Sequence, residues 1–205
     1  MDRVTQDLLE KNHITTQQIE RLTSRGVKAD NLLETLTRVG AVSANFVQRF
    51  IVEQIRLGRY ELAIIQQYAF LSESEVLKYL AEVMNYPFID LDSVDIDYRL
   101  AERAPFAQLK RALALPISQN DLNITVVFSD PLDVNAQEML QRIYPRKPIN
   151  IAVCTSKQIE AYLTKMEIKD SVKELVTNIR NELNSIGRAD RKSTRLNSQS
   201  RGHLV

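Results

Sequence analysis

Two carboxylates three residues apart, Asp130 and Asp133, close an apolar run in "NITVVFSDPLD" (residues 123–133). Such a pair is common equipment for holding a divalent cation or for general acid–base work. A second acidic series, Asp90, Asp92, Asp95 and Asp97, alternates with apolar residues in "IDLDSVDID". It lacks the glycine and the closing glutamate of a calcium-binding loop. No His, Lys or Cys accompanies Asp130 and Asp133 as a catalytic partner. The single cysteine, Cys154, ends an apolar strand, and one cysteine with two histidines falls short of a usual zinc site. Glycine is scarce, at five residues, and neither G-x-x-x-x-G-K-[ST] nor G-x-G-x-x-G occurs. The residues therefore predict no catalytic group and no metal centre. Asp130 or Asp133 is expected to cap the helix that follows, with Pro131 helping the turn. The Asp90–Asp97 series is expected to be a solvated strand edge or a helix cap. Cys154 is expected to be a buried packing residue, and His13, just before a helix cap, to be exposed.

These residues must be positioned by elements that the pattern shows in outline. The chain has 205 residues, 26% of them charged and 44% apolar, with net charge +1. That is an ordinary globular balance, with no global signal for nucleic acid and no apolar run of membrane-spanning length. The N-terminus, "MDRVTQDLLEKN", is amphipathic and not a signal peptide. A lone cysteine excludes an internal disulfide and fits a reducing compartment.

Residues 1–86 read as a helical bundle with an internal repeat. Ile14, Val42 and Leu71 each precede a hydroxyl residue, Thr15, Ser43 or Ser72, followed by apolar residues at helical spacing. The hydroxyls are N-cap candidates, the apolar residues fit a hydrophobic staple, and Ser72 with Glu75 fits a capping box. A shift of 29 aligns Leu33 with Leu62, Leu36 with Ile65, Val47 with Val76, Phe50 with Tyr79, and Ile51 with Leu80. The spacing predicts two copies of a helix–turn–helix unit, with residues 4–22 as a partial earlier copy.

Residues 87–167 read as a small α/β domain in the order α-β-β-α-β-α. Residues 97–110 are helical with a break at Pro105. Strands are predicted over 111–118, 123–129 and 148–154, the first two forming an antiparallel hairpin. Helices are predicted over 133–143 and 156–166, the latter capped by Ser156. The fold class is α+β, a helical-repeat bundle followed by a domain with a three-stranded sheet. Residues 168–187 read as an amphipathic linker helix with Val172, Leu175, Val176, Ile179 and Leu183 on one face. Residues 188–205, "RADRKSTRLNSQSRGHLV", are basic and aperiodic, and are read as a disordered, non-native tail resembling translated vector sequence. Without them the chain is mildly acidic.

The order of these phrases resembles the N-terminal region of the type II secretion and type IV pilus assembly ATPases, the GspE and PilB kind. The phrases are Asn85-Tyr86-Pro87-Phe88-Ile89-Asp90-Leu91, Leu115-Pro116-Ile117 and Asp130-Pro131-Leu132-Asp133. The resemblance covers roughly residues 1–170. It implies a cytoplasmic module, peripheral at the inner membrane, that docks on an inner-membrane platform protein of a bacterial protein-transport machine. It also implies that ATP, Mg and hexamer formation belong to later domains of a parent ATPase. This fragment is then not an enzyme and carries no cofactor, nucleic-acid or membrane-inserting function of its own. Arg99, Arg103, Lys110 and Arg111 form a basic stretch that is a candidate contact for such a partner.

Some members of that family bind cyclic di-GMP through the tandem repeat, and the alternative reading is such a sensor. Leu32, Leu36, Gly40, Val42 and Gln54 fit the frame of the motif. Its ligand-facing Arg is replaced by Asn31 and Tyr60, its first Gly by Leu33 and Leu62, and the later Gly of the second copy by Ala69. Guanidinium forks and close backbone approach are what a guanine dinucleotide needs, so the degenerate positions weaken the sensor reading.

Overall fold

The computed structural model describes residues 1–200, with side chains described through residue 183. Helices α1 (Arg3–Glu10) and α2 (Thr16–Thr23) lead through a 3-10 turn, Ala29–Asn31, into α3 (Leu32–Arg38) and α4 (Ala44–Arg56). A 3-10 segment, Leu62–Gln67, precedes α5 (Glu73–Met84). The segment after it holds a short 3-10 turn, Leu91–Ser93, and the helices α6 (Tyr98–Ala101) and α7 (Phe106–Ala112). Strands β1 (Ala114–Gln119) and β2 (Ile124–Phe128), helix α8 (Val134–Ile143), strand β3 (Ile149–Val153) and helix α9 (Ser156–Ser200) complete the order. The fold class is α+β, as the sequence pattern implies.

The repeat is visible in packing. Val47 and Val76 are both fully buried, as are Ile51 and Leu80, and Leu36 and Ile65 both join the core. Local chemistry sets the helix ends. Thr15 makes a reciprocal capping box with Gln18, and Ser43 accepts from the Phe46 N–H at 3.1 Å. Ser72 makes no side-chain cap bond, so the expected box with Glu75 does not form. The neighbouring Glu73 is turned instead to accept from the Ser156 N–H at 2.9 Å.

The two copies differ most in their first helices. Gly40 adopts φ +76°, and the bonds Ala41 N–H to Leu36 O and Gly40 N–H to Thr37 O close α3 in a Schellman turn. The equivalent position in the second copy is Ala69, whose Cβ disfavours that left-handed turn. There the expected helix is a 3-10 segment that leaves through an extended Tyr68. The bundle is fastened to α1 by two phenols. Tyr60 donates to Asp7 at 2.5 Å and Tyr68 to Asp2 at 2.7 Å. Burial and these carboxylates push both phenols far above their ordinary range.

The sheet has the order β1-β2-β3, with β1 antiparallel to β2 and β3 parallel to β2. Asn120 builds the hairpin turn, its side-chain oxygen accepting from the N–H groups of Leu122 and Asn123 at 2.9 and 2.8 Å. The register shifts between Pro116 and Ser118, a bulge at Ile117 whose carbonyl accepts from the Asp97 N–H. β1 begins later than residue 111, because α7 runs to Ala112 and Leu113 turns the chain in the left-handed region at φ 42°. Pro105 starts α7, which explains the break in the helical pattern.

Residues Met1–Ile159 make one compact unit. A boundary after residue 86 is expected from sequence, yet Val153 lies in the same buried cluster as the bundle residues, with Phe88 and Leu132 packed on it. Phe88 also bridges Val153 in parallel, so the segment after α5 is stitched to β3.

The second unit begins at Glu160 and is helix through Ser200. Helix α9 runs unbroken from Ser156 to Ser200, where separate helices over 156–166 and 168–187 are expected from sequence. Its first turn is capped by Thr155, whose hydroxyl accepts from the Gln158 N–H at 3.4 Å, and not by Ser156. No proline or glycine interrupts residues 156–186, so nothing in that stretch stops the helix. The backbone of 188–200 continues it, and residues 201–205 of the expected tail lie outside the described residues.

Candidate functional site

The sheet presents two chemically different ends. At the first, β2 runs out through Ser129 into Asp130. A cavity of about 350 Å³ is lined there by Leu62, Tyr68, Ala69, Leu77, Glu73 and Asp130, among others. The acids at this end are engaged by backbone. Asp130 accepts from the Leu132 N–H at 2.9 Å, and Asp133 caps α8 by accepting from the Ala136 N–H at 3.0 Å. Gln137 braces the turn by donating to the Pro131 carbonyl at 2.7 Å. Burial, and secondarily the nearby Asp133, pushes the Asp130 carboxyl above its usual range, while the Leu132 amide opposes the shift. The carboxylate pair thus turns strand into helix.

Two members of the second acidic series, Asp90 and Asp97, are used similarly. Asp90 accepts from the Asp92 N–H at 3.1 Å and from Gln158 Nε2 at 2.6 Å, and Asp97 caps α6 through the Arg99 N–H. Among the described residues, no three His, Cys, Asp or Glu side chains come together to hold a metal. Cys154 is fully buried, burial pushes its thiol up to about 11, and its Sγ–H donates to Gln158. A thiol held protonated at neutral pH is a packing group, not a nucleophile. His13 is exposed and edge-on to Phe46 at 4.8 Å between centroids.

The other end is basic. A cavity of about 560 Å³ lies where β1 finishes and β2 begins, beside the loop from α8 to β3. Arg103, Arg146 and Lys147 line it together with Ile124, Ile143 and Tyr144. Tyr144 is buried, its hydroxyl donating to the Leu100 carbonyl, and Arg103 stands over its ring at 5.3 Å. Burial pushes the Tyr144 phenol up, and the Arg103 charge opposes that. Gln141 holds the loop. Its amide donates to the carbonyls of Tyr144 and Lys147, both at 3.0 Å, and its oxygen accepts from the Ile149 N–H at 3.3 Å. Lys147 donates to the Asn120 carbonyl and so ties the loop to the hairpin.

The four cations of the expected contact, Arg99, Arg103, Lys110 and Arg111, are all exposed. They do not share one site. Arg103 lines the basic cavity, and Arg111 lines a separate hollow of about 400 Å³ with Gln108, Asp133 and Met139. Sequence reasoning missed Gln141, Arg146 and Lys147. The signal was present in "YPRKP", two cations between prolines immediately before a strand.

The degenerate motif positions are scattered as well. Leu33 is fully buried, and Tyr60 is buried with its hydroxyl on Asp7. Asn31 and Gly40 are exposed, and only Leu62 and Ala69 meet, on the acidic-end cavity. Gln54, which fits the frame, is buried and accepts from Lys11 and Arg59 at 3.3 and 3.2 Å.

Residues 84–171 match the MshEN domain family. The structure of MshE with cdg is similar at 23% identity, covering 80% of this chain and 99% of that one, with a TM-score of 0.44. The N-terminal domain of XpsE is similar at 18% identity, covering 67% of this chain and 96% of that one, with a TM-score of 0.45. No curated protein matches the chain. Among the described residues, no helix is long and apolar enough to cross a membrane.

Proposed function

We propose that this chain is a docking module of a type II secretion or type IV pilus assembly ATPase, engaging an inner-membrane platform protein from the cytoplasmic side. The observation that carries the reading is the MshEN match over residues 84–171, which spans the sheet and the helices that position it. The use of Asp90, Asp97, Asp130 and Asp133 as backbone acceptors supports it, because these four of the six acids that spacing offered for chemistry have a structural task. ATP hydrolysis would reside in other domains of the parent. Arg99, Arg103, Lys110 and Arg111 are proposed contacts for the platform protein.

The cyclic di-GMP reading is the competitor. The burial of Leu33 and Tyr60 favours docking over it, since both fill the bundle core at positions where the motif needs a ligand-facing Gly and Arg. The test is biolayer interferometry of the chain against the cytoplasmic domains of secretion and pilus platform proteins, beside a calorimetric titration with cyclic di-GMP. Saturable binding to one platform domain is expected, together with a flat titration and no ATP turnover. Saturable cyclic di-GMP binding without platform binding replaces the docking reading with the sensor reading.

A further inference from the structure

Three cations converge on the cavity at the hairpin end of the sheet, and among the described residues no carboxylate lines it. Among the described residues, none of Arg103, Arg146 and Lys147 forms an ion pair. The loop that presents two of them is nonetheless fixed, by two hydrogen bonds that Gln141 donates, one that it accepts, and one from Lys147 to the hairpin. Arg103 is steered over the Tyr144 ring. Unneutralised charge on a braced loop lowers the ordering cost of binding an opposite charge. Exposed cations on free loops would not have that advantage.

The lining also limits the occupant. Ile124, Ile143, Pro145 and the Tyr144 ring supply apolar surface beneath the cations. At about 560 Å³ the cavity has the size of a site for a few side chains. It adjoins the C-terminal end of α8, the negative end of the helix dipole, and the loop's Tyr144 and Lys147 amides are not gathered into an anion-binding nest. A compact phosphate dianion is poorly served there. Carboxylates spread along a peptide, with an apolar side chain between them, match both the cationic rim and the apolar floor.

We propose that the cavity bounded by Arg103, Arg146, Lys147 and Tyr144 is a docking site for an acidic, amphipathic peptide segment of a protein partner. This rests on the docking reading and moves its centre from the four-cation stretch to the hairpin end, keeping Arg103 alone of the four.

Fluorescence anisotropy tests it with a labelled peptide of alternating Glu or Asp and Leu or Phe, and with a Lys/Arg counterpart. The acidic peptide is expected to bind saturably, about tenfold more weakly in each of R103E and R146E, and far more weakly with added salt. The Lys/Arg peptide is expected not to bind. R25E and K28E, exposed on the helical bundle and outside the cavity, serve as controls and are expected to change the affinity little. Circular dichroism and thermal melting confirm that each variant is folded. Equal affinity in R103E, R146E and the parent chain overturns the proposal, and so does displacement of the peptide by equimolar inorganic phosphate. The platform-domain experiment keeps the two readings apart. Platform binding that R103E/R146E leaves intact removes this site while docking stands, whereas no platform binding by the parent chain removes docking itself.

Discussion

At one end of the sheet the charges are acidic and occupied; at the other they are basic and unpaired. Asp130 and Asp133 each accept a backbone N–H, Glu73 accepts from Ser156, and the bundle lies over them. Among the described residues, Arg103, Arg146 and Lys147 form no ion pair, yet the loop that carries Arg146 and Lys147 is held by Gln141. Both ends therefore carry a similar investment in backbone order with opposite use of the side chains. The acids are needed to change the chain's direction from strand to helix. Lys147 also ties its loop to the hairpin, which leaves Arg103 and Arg146 as the cations whose placement is available to a partner.

The contrast can be broken outright or sharpened by degrees. Phe128→Ala strikes the strand that both ends share. The ring is fully buried and pairs across to Ala114 and Val153, and its loss is expected to cost about 3–5 kcal/mol in urea unfolding. Gln141→Ala acts on the basic end. It removes three loop bonds and should cost roughly 1–3 kcal/mol while lowering acidic-peptide affinity. Asp133→Ala acts on the acidic end through the α8 cap. About 1 kcal/mol is expected to be lost, most of it restored in Asp133→Asn, with peptide affinity unchanged.

The smallest effect is a pH dependence. Burial raises the Asp130 carboxyl above its unfolded value, so the native state holds that proton more tightly. This contribution favours folding below the ordinary carboxylate range and is lost as pH rises through it toward the native value. Asp130→Asn keeps an acceptor for the Leu132 amide and should flatten that segment of the stability profile. Parallel denaturation curves at acid and neutral pH check this, and an unchanged profile would show that the carboxyl is well solvated.

Much of this arrangement was legible from residues alone. Alternation and turn chemistry gave the hairpin, and the Asp-Pro-x-Asp phrase gave the strand-to-helix corner, because these are local preferences within a few residues. The capping box expected of Ser72 with Glu75 does not form, while the intervening Glu73 accepts from Ser156, a residue far along the chain that no local pattern announces. The second repeat's 3-10 segment was signalled only by Ala69 standing where Gly40 stands in the first. The basic cavity escaped notice because it is assembled from the α6–α7 junction, the hairpin and the α8–β3 loop. Only the sheet brings those pieces together. The continuity of α9 over 156–186 follows from the absence of proline and glycine there.

The short bridge from Phe88 to β3 bears on the order in which the chain is assembled. Val153 N–H donates to Pro87 O and Ile89 N–H to Val153 O, both at 2.8 Å, across the whole length of the α/β half. The hairpin closes over a short loop and can form early, whereas this clasp must wait until β3 is in place. In a hydrogen-exchange time course the Ile89 and Val153 amides should therefore exchange only with opening of the whole unit.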